Sequence, residues 1–270
     1  MTPRAKVALV TGASSGMGRA TAELLQRRGW TVYGASRGIE RLEPRPAFTC
    51  VTLDVTDEPA VAAVLERITR EAGTLDAVVN CAGWVLAGAV EETSTADARR
   101  QFETNYFGLV TVSRLAAAQM RAQGHGHLVN VASLAGHIPM AFQAHYSASK
   151  AALITFTRAL RLELAPFGVQ VVSLEPGDFA TGITAARQLA RPAAHSAYPA
   201  FARTLEIFHR DETTAAPPDE VAEHVARVLE QRRPPASVLA GQFIQRLAVT
   251  LRALLPARFF DWALTKLYRL

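Results

Sequence analysis

A glycine-rich turn between an apolar strand and a helix is the feature that most constrains the fold of this 270-residue chain. Apolar residues fill Lys6–Thr11, and helical periodicity covers Arg19–Arg28 with Gly29 as its cap. Glycines in such a turn let backbone N–H groups approach a pyrophosphate at the positive end of the helix. The residues predicted to bind this group are Gly12, Ser14, Ser15, Gly16, Met17 and Gly18.

Strands and helices alternate along most of the chain. Further strands are predicted at Thr31–Ser36, Phe48–Leu53, Leu75–Asn80, Gly126–Ala132 and Val169–Leu174. Helices are predicted over Glu58–Ala72, about Ser94–Gln123, from Tyr146 to about Ala165, and over Asp219–Arg232. Apolar strands that alternate with helices indicate a parallel sheet. The stretch 177–217 has no single period and is predicted to be a lid over the site.

The end of the second strand predicts which nicotinamide cofactor is preferred. An acidic residue there would hold the ribose hydroxyls of NAD, but this chain has Ser36 followed by Arg37. An arginine grips a 2′-phosphate with its planar fork, so NADP(H) is preferred over NAD(H); the alternative is a solvated surface arginine. Asp54, followed by Val55, is predicted either to contact the adenine amino group or to cap the next helix.

Small and polar residues mark two further positions. Asn80 ends the fourth strand, and Cys81, Ala82 and Gly83 form a tight exit from it, where either a cofactor ribose or packing alone would require small side chains. Asn105 lies on an otherwise apolar helix stripe, and a buried amide must find partners. It is either satisfied by the backbone or part of a proton route.

Tyr146 and Lys150 are four residues apart on a predicted helix and are therefore neighbours. A fixed cation beside a phenol favours the phenolate, so we expect Lys150 to lower the pKa of Tyr146. Ser133 lies at the carboxyl end of the preceding strand, where open α/β sheets bind ligands. The three side chains would bind a carbonyl oxygen; the alternative is a chance Tyr-Lys pair on a solvated helix.

Taken together and in this order, these motifs resemble the classical short-chain dehydrogenase/reductase family from the first strand to about residue 240, with most similarity to the 17β-hydroxysteroid-dehydrogenase-like branch. The resemblance implies a Rossmann-type doubly wound fold, with a seven-stranded parallel sheet and helices on both faces. It also implies hydride transfer between NADP(H) and a hydrophobic ketone or secondary alcohol of steroid, retinoid or lipid type. Alternatives are an NAD-linked alcohol dehydrogenase and a non-catalytic NADP(H)-binding sensor or scaffold.

The resemblance also assigns roles to individual residues. Asn105 would hold a water in a proton relay, Ser133 would orient the carbonyl, and Tyr146 would be the acid and base. Lys150 would bond the nicotinamide ribose as well as tune Tyr146. Thr181, after Pro176 and Gly177, matches the position that touches the nicotinamide carboxamide. Cys81 stands where the family usually has asparagine, a small departure.

Composition excludes several other classes of protein. Cys50 and Cys81 are predicted to be core residues in a reducing compartment, and no zinc-type spacing exists, so no metal is expected. No apolar run reaches the ~18 residues of a membrane span, and the N-terminus lacks the pattern of a signal peptide. We expect a cytoplasmic protein.

The expected organisation is one catalytic domain over 1–240, followed by a basic tail over 241–270. The tail carries a net +4 of the chain's +5 and is predicted to form two amphipathic helices around Pro256. We expect their apolar faces to pack on the lid or on a second subunit, with contact to a membrane interface as the alternative. The expected partners are a small hydrophobic substrate and further copies of the chain, as a homodimer or homotetramer, and not nucleic acid.

Overall fold

The fold is built on one parallel sheet. The computed structural model of the chain describes residues 4–42, 46–182 and 187–268. Two short strands, β5 (Leu86–Ala87) and β8 (Gln188–Leu189), pair separately from the main sheet. The main strands are β1 (Val7–Thr11), β2 (Thr31–Ser36), β3 (Thr49–Thr52), β4 (Ala77–Asn80), β6 (Gly126–Val131), β7 (Val169–Pro176) and β9 (Ser237–Ala240). Their order is β3-β2-β1-β4-β6-β7-β9, with every pairing parallel.

Helices cover both faces of the sheet, which confirms the predicted fold class. One core cluster joins the sheet to α2, α4 and α5, and the other joins it to α1 and α7. The helices are α1 (Gly16–Arg27), α2 (Glu58–Ala72), α3 (Thr95–Phe102), α4 (Leu109–Gln123), α5 (Ala144–Leu164), α6 (Pro199–Thr213), α7 (Asp219–Glu230), α8 (Phe243–Leu254) and α9 (Ala257–Tyr268).

The strand order reverses beside β1, and this reversal determines where a ligand-binding crevice forms. β1 runs between β2 and β4, so the connections after β1 and after β4 leave the sheet in opposite directions. A crevice forms at the carboxyl ends of the strands at such a switch point. There, Thr11 pairs in register with Asn80, and Asn80 with Asn130. The Thr11 hydroxyl accepts from the backbone N–H groups of Cys81 and Ala82 at 3.2 and 3.3 Å, which ties the two strand exits together.

Three stretches differ from the sequence predictions. The predicted helix over Ser94–Gln123 is interrupted by a π-helical segment, Glu103–Gly108, between α3 and α4. The predicted lid contains a regular helix, α6, which begins at Pro199, a residue that suits a first helical position. The seventh strand, β9, has only four residues and leaves too short an apolar run to be recognised in the sequence. Residues 183–186 of the predicted lid and Arg269 and Leu270 of the tail lie outside the described residues.

The two tail helices, α8 and α9, flank Pro256 as predicted. Tyr268 of α9 is buried, and its ring contacts that of Phe208 in α6 with centroids 5.7 Å apart. The tail therefore packs on the predicted lid, which is one of its expected contacts. Within the described ranges, none of the helices combines the length and the apolarity needed to cross a bilayer.

Candidate active site

Ser133, Tyr146 and Lys150 come together at the carboxyl end of β6. The Lys150 ammonium donates to the backbone carbonyl of Val131 at 2.9 Å and lies 5.8 Å from the centre of the Tyr146 ring. The Ser133 hydroxyl donates to the carbonyl oxygen of Pro176 at 3.3 Å. All three side chains line one cavity of about 580 Å³, so the structure places the predicted trio in a single site.

The electrostatics of the trio differ from the sequence expectation. Burial raises the pKa of Tyr146, and a hydrogen bond with Ser133 lowers it by less. Burial also lowers the pKa of Lys150 to about 8. The expected lowering of the Tyr146 pKa by Lys150 is therefore wrong, because the lysine lies over the ring face and the loss of solvent around the phenol outweighs nearby charges.

Asn105 is fully buried in the π-helical segment. Its side-chain oxygen accepts from the backbone N–H of Trp84 at 3.0 Å, and its amide nitrogen donates to the Trp84 carbonyl at 2.9 Å. Trp84 lines the cavity, so this pair of bonds holds one wall of the site in place. Asn105 is thus satisfied by the backbone, the first of its two predicted alternatives.

The glycine-rich turn has the form needed for a dinucleotide. A Cβ at Gly12 would lie 2.8 Å from the Ala82 nitrogen, and one at Gly18 would lie 2.3 Å from the Gly12 oxygen. Gly12 and Gly16 both have positive φ, so side chains are excluded by conformation as well as by space. The N-cap residue of α1, Ser15, makes no side-chain capping bond. The first N–H groups of α1 are therefore free of side-chain caps, as anion binding at a helix N-terminus requires.

The ends of β2 and β3 carry the other predicted cofactor residues. The Ser36 hydroxyl is buried and has no hydrogen-bond partner among the described residues, and Arg37 is exposed. The Asp54 carboxylate accepts from the backbone N–H and the hydroxyl of Thr56 at 3.0 and 2.8 Å. The Thr56 backbone bond is the largest effect that lowers the pKa of Asp54, and Arg37 adds a weaker one.

The predicted capping role of Asp54 is wrong. Asp57 caps α2 instead, since its carboxylate accepts from the backbone N–H of Ala60 at 3.0 Å. Val55 is buried against Gly108, where a Cβ would come within 2.6 Å of it.

The remaining predicted residues divide into two groups. The Asn80 amide donates to Asn130 and Ser113 at 3.0 and 3.1 Å, so it fixes the strand ends from inside the core. The second group consists of predicted cofactor residues that line the cavity: Met17, Gly83, Pro176, Gly177 and Thr181.

Sequence reasoning missed a charged cluster beside the trio. The cluster comprises Asp178, Arg187 and Glu212; Asp178 and Glu212 line the cavity, and Arg187 is ion-paired with Glu212. Burial raises the pKa of Glu212 to about 7, and burial followed by the charge of Asp211 raises the pKa of Asp178. The one signal in the sequence was the position of Asp178 directly after Pro176-Gly177. Arg187 and Glu212 lie in a stretch where the sequence shows no clear helical or strand periodicity. Among the described residues, no group of His, Cys, Asp or Glu is placed to hold a metal ion.

Comparisons with known proteins agree with this geometry. Residues 6–192 match the family model described as short chain dehydrogenase. The chain is 32% identical over 265 residues to 3-ketodihydrosphingosine reductase of Bacteroides thetaiotaomicron, covering 97% of this chain and 98% of that protein. It is 35% identical to the NADPH-dependent 1-acyldihydroxyacetone phosphate reductase of Schizosaccharomyces pombe, over 66% of this chain and 61% of that protein.

Solved structures give the same result. A short-chain dehydrogenase from Streptomyces avermitilis superposes with a TM-score of 0.83 at 33% identity, covering 97% of each chain. A short chain dehydrogenase/reductase from Burkholderia phymatum, in complex with NAD, superposes with a TM-score of 0.81 at 26% identity, covering 93% of each chain. With its parallel sheet, glycine-rich turn and Ser-Tyr-Lys trio, the chain is an oxidoreductase that belongs to the short-chain dehydrogenase/reductase family.

Proposed function

We propose that the protein reduces a hydrophobic ketone to a secondary alcohol with NADPH. The observation that carries this proposal is the trio of Ser133, Tyr146 and Lys150 in a cavity of about 580 Å³. Much of the cavity wall is apolar, which suits a substrate with a large hydrocarbon part. The apolar wall includes Val85, Ile138, Met140, Phe179, Ile207 and Leu264.

In this proposal, each member of the trio has one task. Bound NADPH supplies the hydride. Ser133 orients the carbonyl oxygen by donating a hydrogen bond, and the Tyr146 hydroxyl delivers the proton to that oxygen. Burial raises the pKa of Tyr146, so at neutral pH the phenol carries the proton that a reduction transfers. Lys150 binds the nicotinamide ribose and contributes positive charge near the phenol, and Asn105 holds the cavity wall through Trp84.

A preference for NADP(H) is part of the proposal. Arg37 is exposed at the end of β2, and Ser36 stands where NAD-specific chains carry an acidic residue. The 2′-phosphate would pair with the guanidinium, and the Ser36 hydroxyl, which has no hydrogen-bond partner in the described part of the chain, would bond the same group. The Schizosaccharomyces pombe relative, which is named NADPH-dependent, supports this assignment. The rival is an NAD-linked alcohol dehydrogenase, which the NAD complex of the Burkholderia phymatum relative favours.

We further propose a lipid-like ketone as the substrate. The Bacteroides thetaiotaomicron relative is named 3-ketodihydrosphingosine reductase and matches over nearly the full length of both chains. Steroids and retinoids are the other hydrophobic carbonyl compounds that would fit the same chemistry. The segment 177–217 is the proposed lid, because Phe179, Ile207 and Glu212 from it line the cavity.

We also propose that the protein is a homo-oligomer in the cytoplasm. Leu162 of α5 and Phe107 of the π-helical segment are 78% and 50% exposed. Exposed apolar side chains on neighbouring elements favour self-association into a dimer or tetramer. Analytical ultracentrifugation would give the assembly: a monomer at micromolar concentration would contradict this part of the proposal.

The experiment that tests the activity measures NADPH consumption with a panel of soluble ketones, steroids and long-chain keto lipids. We expect turnover with at least one long-chain ketone, and slower turnover when NADH replaces NADPH. The reverse reaction with the matching alcohol and NADP⁺ is the control for direction. Tight NADPH binding without turnover of any ketone or alcohol in the panel would instead support a sensor or scaffold.

A further inference from the structure

The two C-terminal helices expose a cluster of large apolar side chains. Phe243, Leu254 and Trp262 are 72%, 74% and 57% exposed, values usual for charged residues. We call this surface the tail face; its apolar members are Phe243, Ile244, Leu251, Leu254, Phe259, Trp262 and Leu267. At 3.6 residues per turn, the four members on α8 lie within an arc of about 100°. They therefore form one continuous side of α8.

The two tail helices are also positively charged. Between 241 and 268 the basic residues are Arg246, Arg252, Arg258 and Lys266, against the single carboxylate of Asp261. Among the described residues, Arg246, Arg258 and Lys266 have no carboxylate within ion-pair distance. Their charges are available to an external anionic partner, unlike that of Arg28 at the C-terminal end of α1, which pairs with Glu223 and Glu230.

The catalytic cavity opens at the same surface. Ile244 and Leu267 line the cavity and are at the same time 63% and 54% exposed. A side chain that both lines a cavity and faces solvent marks its mouth. Phe260 and Tyr268 of α9 are packed inward, whereas the described residues of α8 are half-buried or exposed. The tail thus closes one side of the cavity and presents the tail face around the opening.

We propose that the tail face docks on an anionic lipid bilayer and that the cavity receives its substrate from there. The apolar side chains enter the headgroup region, and the basic residues pair with lipid phosphates and carboxylates. A second copy of the chain is a poorer partner, because a two-fold contact would place this positive face against itself. Docking rests on the tail alone, whereas substrate delivery also rests on the proposed reduction of a lipid-like ketone.

Flotation of the full-length protein with liposomes tests the docking. We expect the protein to float with vesicles that contain phosphatidylserine and to stay in the dense fraction with vesicles of phosphatidylcholine alone. Arg258→Glu combined with Lys266→Glu should weaken binding to anionic vesicles at least tenfold, since each basic residue near such a surface contributes about fivefold or more. Phe259→Ser combined with Trp262→Ser should weaken it similarly. None of these four residues lines the cavity.

Matched variants on other surfaces serve as controls. Arg232→Glu with Arg233→Glu makes the same charge change at exposed positions outside the tail, and Val90→Ser removes another exposed apolar side chain. These controls should float like the parent, and the tail variants should keep the parent's NADPH-dependent turnover of a short, soluble ketone.

Three outcomes would overturn the proposal: absence of flotation by the parent, equal loss of flotation in the control variants, or a fall in molecular mass in the tail variants that reveals a second copy on this face. If the parent floats but reduces no ketone, the docking is supported and the proposed reductase activity is not.

Discussion

The two polar parts of the cavity are built in different ways. The catalytic trio lies just beyond the end of β6 and on α5, within the sheet framework, and the Ser133 and Lys150 side chains both bond backbone carbonyls. The charged cluster lies on segments outside that framework. Within the described residues, the Arg187 Nε and one Glu212 carboxylate oxygen are buried without hydrogen-bond partners.

This difference assigns the two parts different tasks: the trio carries out the reaction, and the charged cluster influences which substrate binds. The framework positions the trio before any substrate arrives, as catalysis by fixed donors requires. Glu212 lines the cavity and keeps one buried carboxylate oxygen without a hydrogen-bond partner among the described residues, so a polar group of a substrate would complete its bonding. We therefore expect changes in the trio to reduce turnover, and changes near the cluster to alter stability and substrate affinity.

The largest expected effect comes from Tyr146→Phe. The variant keeps the ring and removes the transferable proton, so kcat should fall by ~10²–10⁴-fold, the usual contribution of general acid–base catalysis. NADPH binding, measured by fluorescence titration, should stay within about twofold of the parent. Tyr198→Phe is the control, because it removes a hydroxyl that bonds Glu91 at the surface. A kcat within threefold of the parent would show that another group supplies the proton.

Arg187→Met should have the next largest effect, on stability. The side chain of Arg187 is 4% exposed, and its loss leaves Glu212 without its cation. Removing one partner of a buried pair costs ~3–5 kcal/mol, and the lower value applies because Glu212 retains some solvent contact. The free energy of unfolding, from urea titrations at pH 8, should fall by about 3 kcal/mol.

This loss should depend on pH in one direction. The pKa of Glu212 is about 7 in the fold against an ordinary 4.5, so the folded state holds more protons between these values and stability falls as pH rises through them. Without Arg187 that pKa rises further, and the extra cost is present at pH 8 and disappears near pH 4.5, where Glu212 is protonated. Arg191→Met, at a half-exposed arginine, is the control. A loss that is equal at both pH values would contradict the ionic origin.

A smaller effect is expected for Arg37→Ala at the cofactor end. Hydrogen bonds to charged groups contribute ~1.5–3 kcal/mol, so the dissociation constant of NADPH should rise about tenfold or more at low salt. NADH binding should change little, and adding Ser36→Asp should reverse the preference. Arg41→Ala, at a nearby exposed arginine, is the control. Equal binding of NADH and NADPH by the parent would exclude Arg37 as the discriminating residue.

The smallest effect is expected for Gln245→Leu. The Gln245 amide donates to the Asp178 carboxylate at 2.6 Å and so links α8 to the charged cluster. Losing this bond should raise KM for a long-chain ketone by roughly threefold to tenfold, with kcat nearly unchanged. Thr250→Val, at an exposed position of α8, should leave both constants unaltered. A fall in kcat without a change in KM would contradict the separation of the two parts.

Sequence patterns predicted the framework better than the surrounding segments. The glycine-rich turn, the apolar strands and the Tyr146–Lys150 spacing follow from local rules, and each lies where the structure has it. The raised pKa of Tyr146 was not predictable, because it depends on burial by segments far away in the chain. The partnership of Arg187 with Glu212 likewise joins positions 25 residues apart that share no periodic pattern.

The π-helical segment also constrains insertions and deletions in this chain. Removing one residue from Glu103–Gly108 would restore α-helical bonding with little rotation of α4 relative to α3, because the wider π-helical turn takes up one extra residue. Val112 and Ala116 would stay in the core, but the wide turn that holds Asn105 against Trp84 would be lost. Related chains that keep the Asn105–Trp84 contact should therefore keep the length of this segment unchanged, while exposed turns such as the one at Gly124 tolerate length changes.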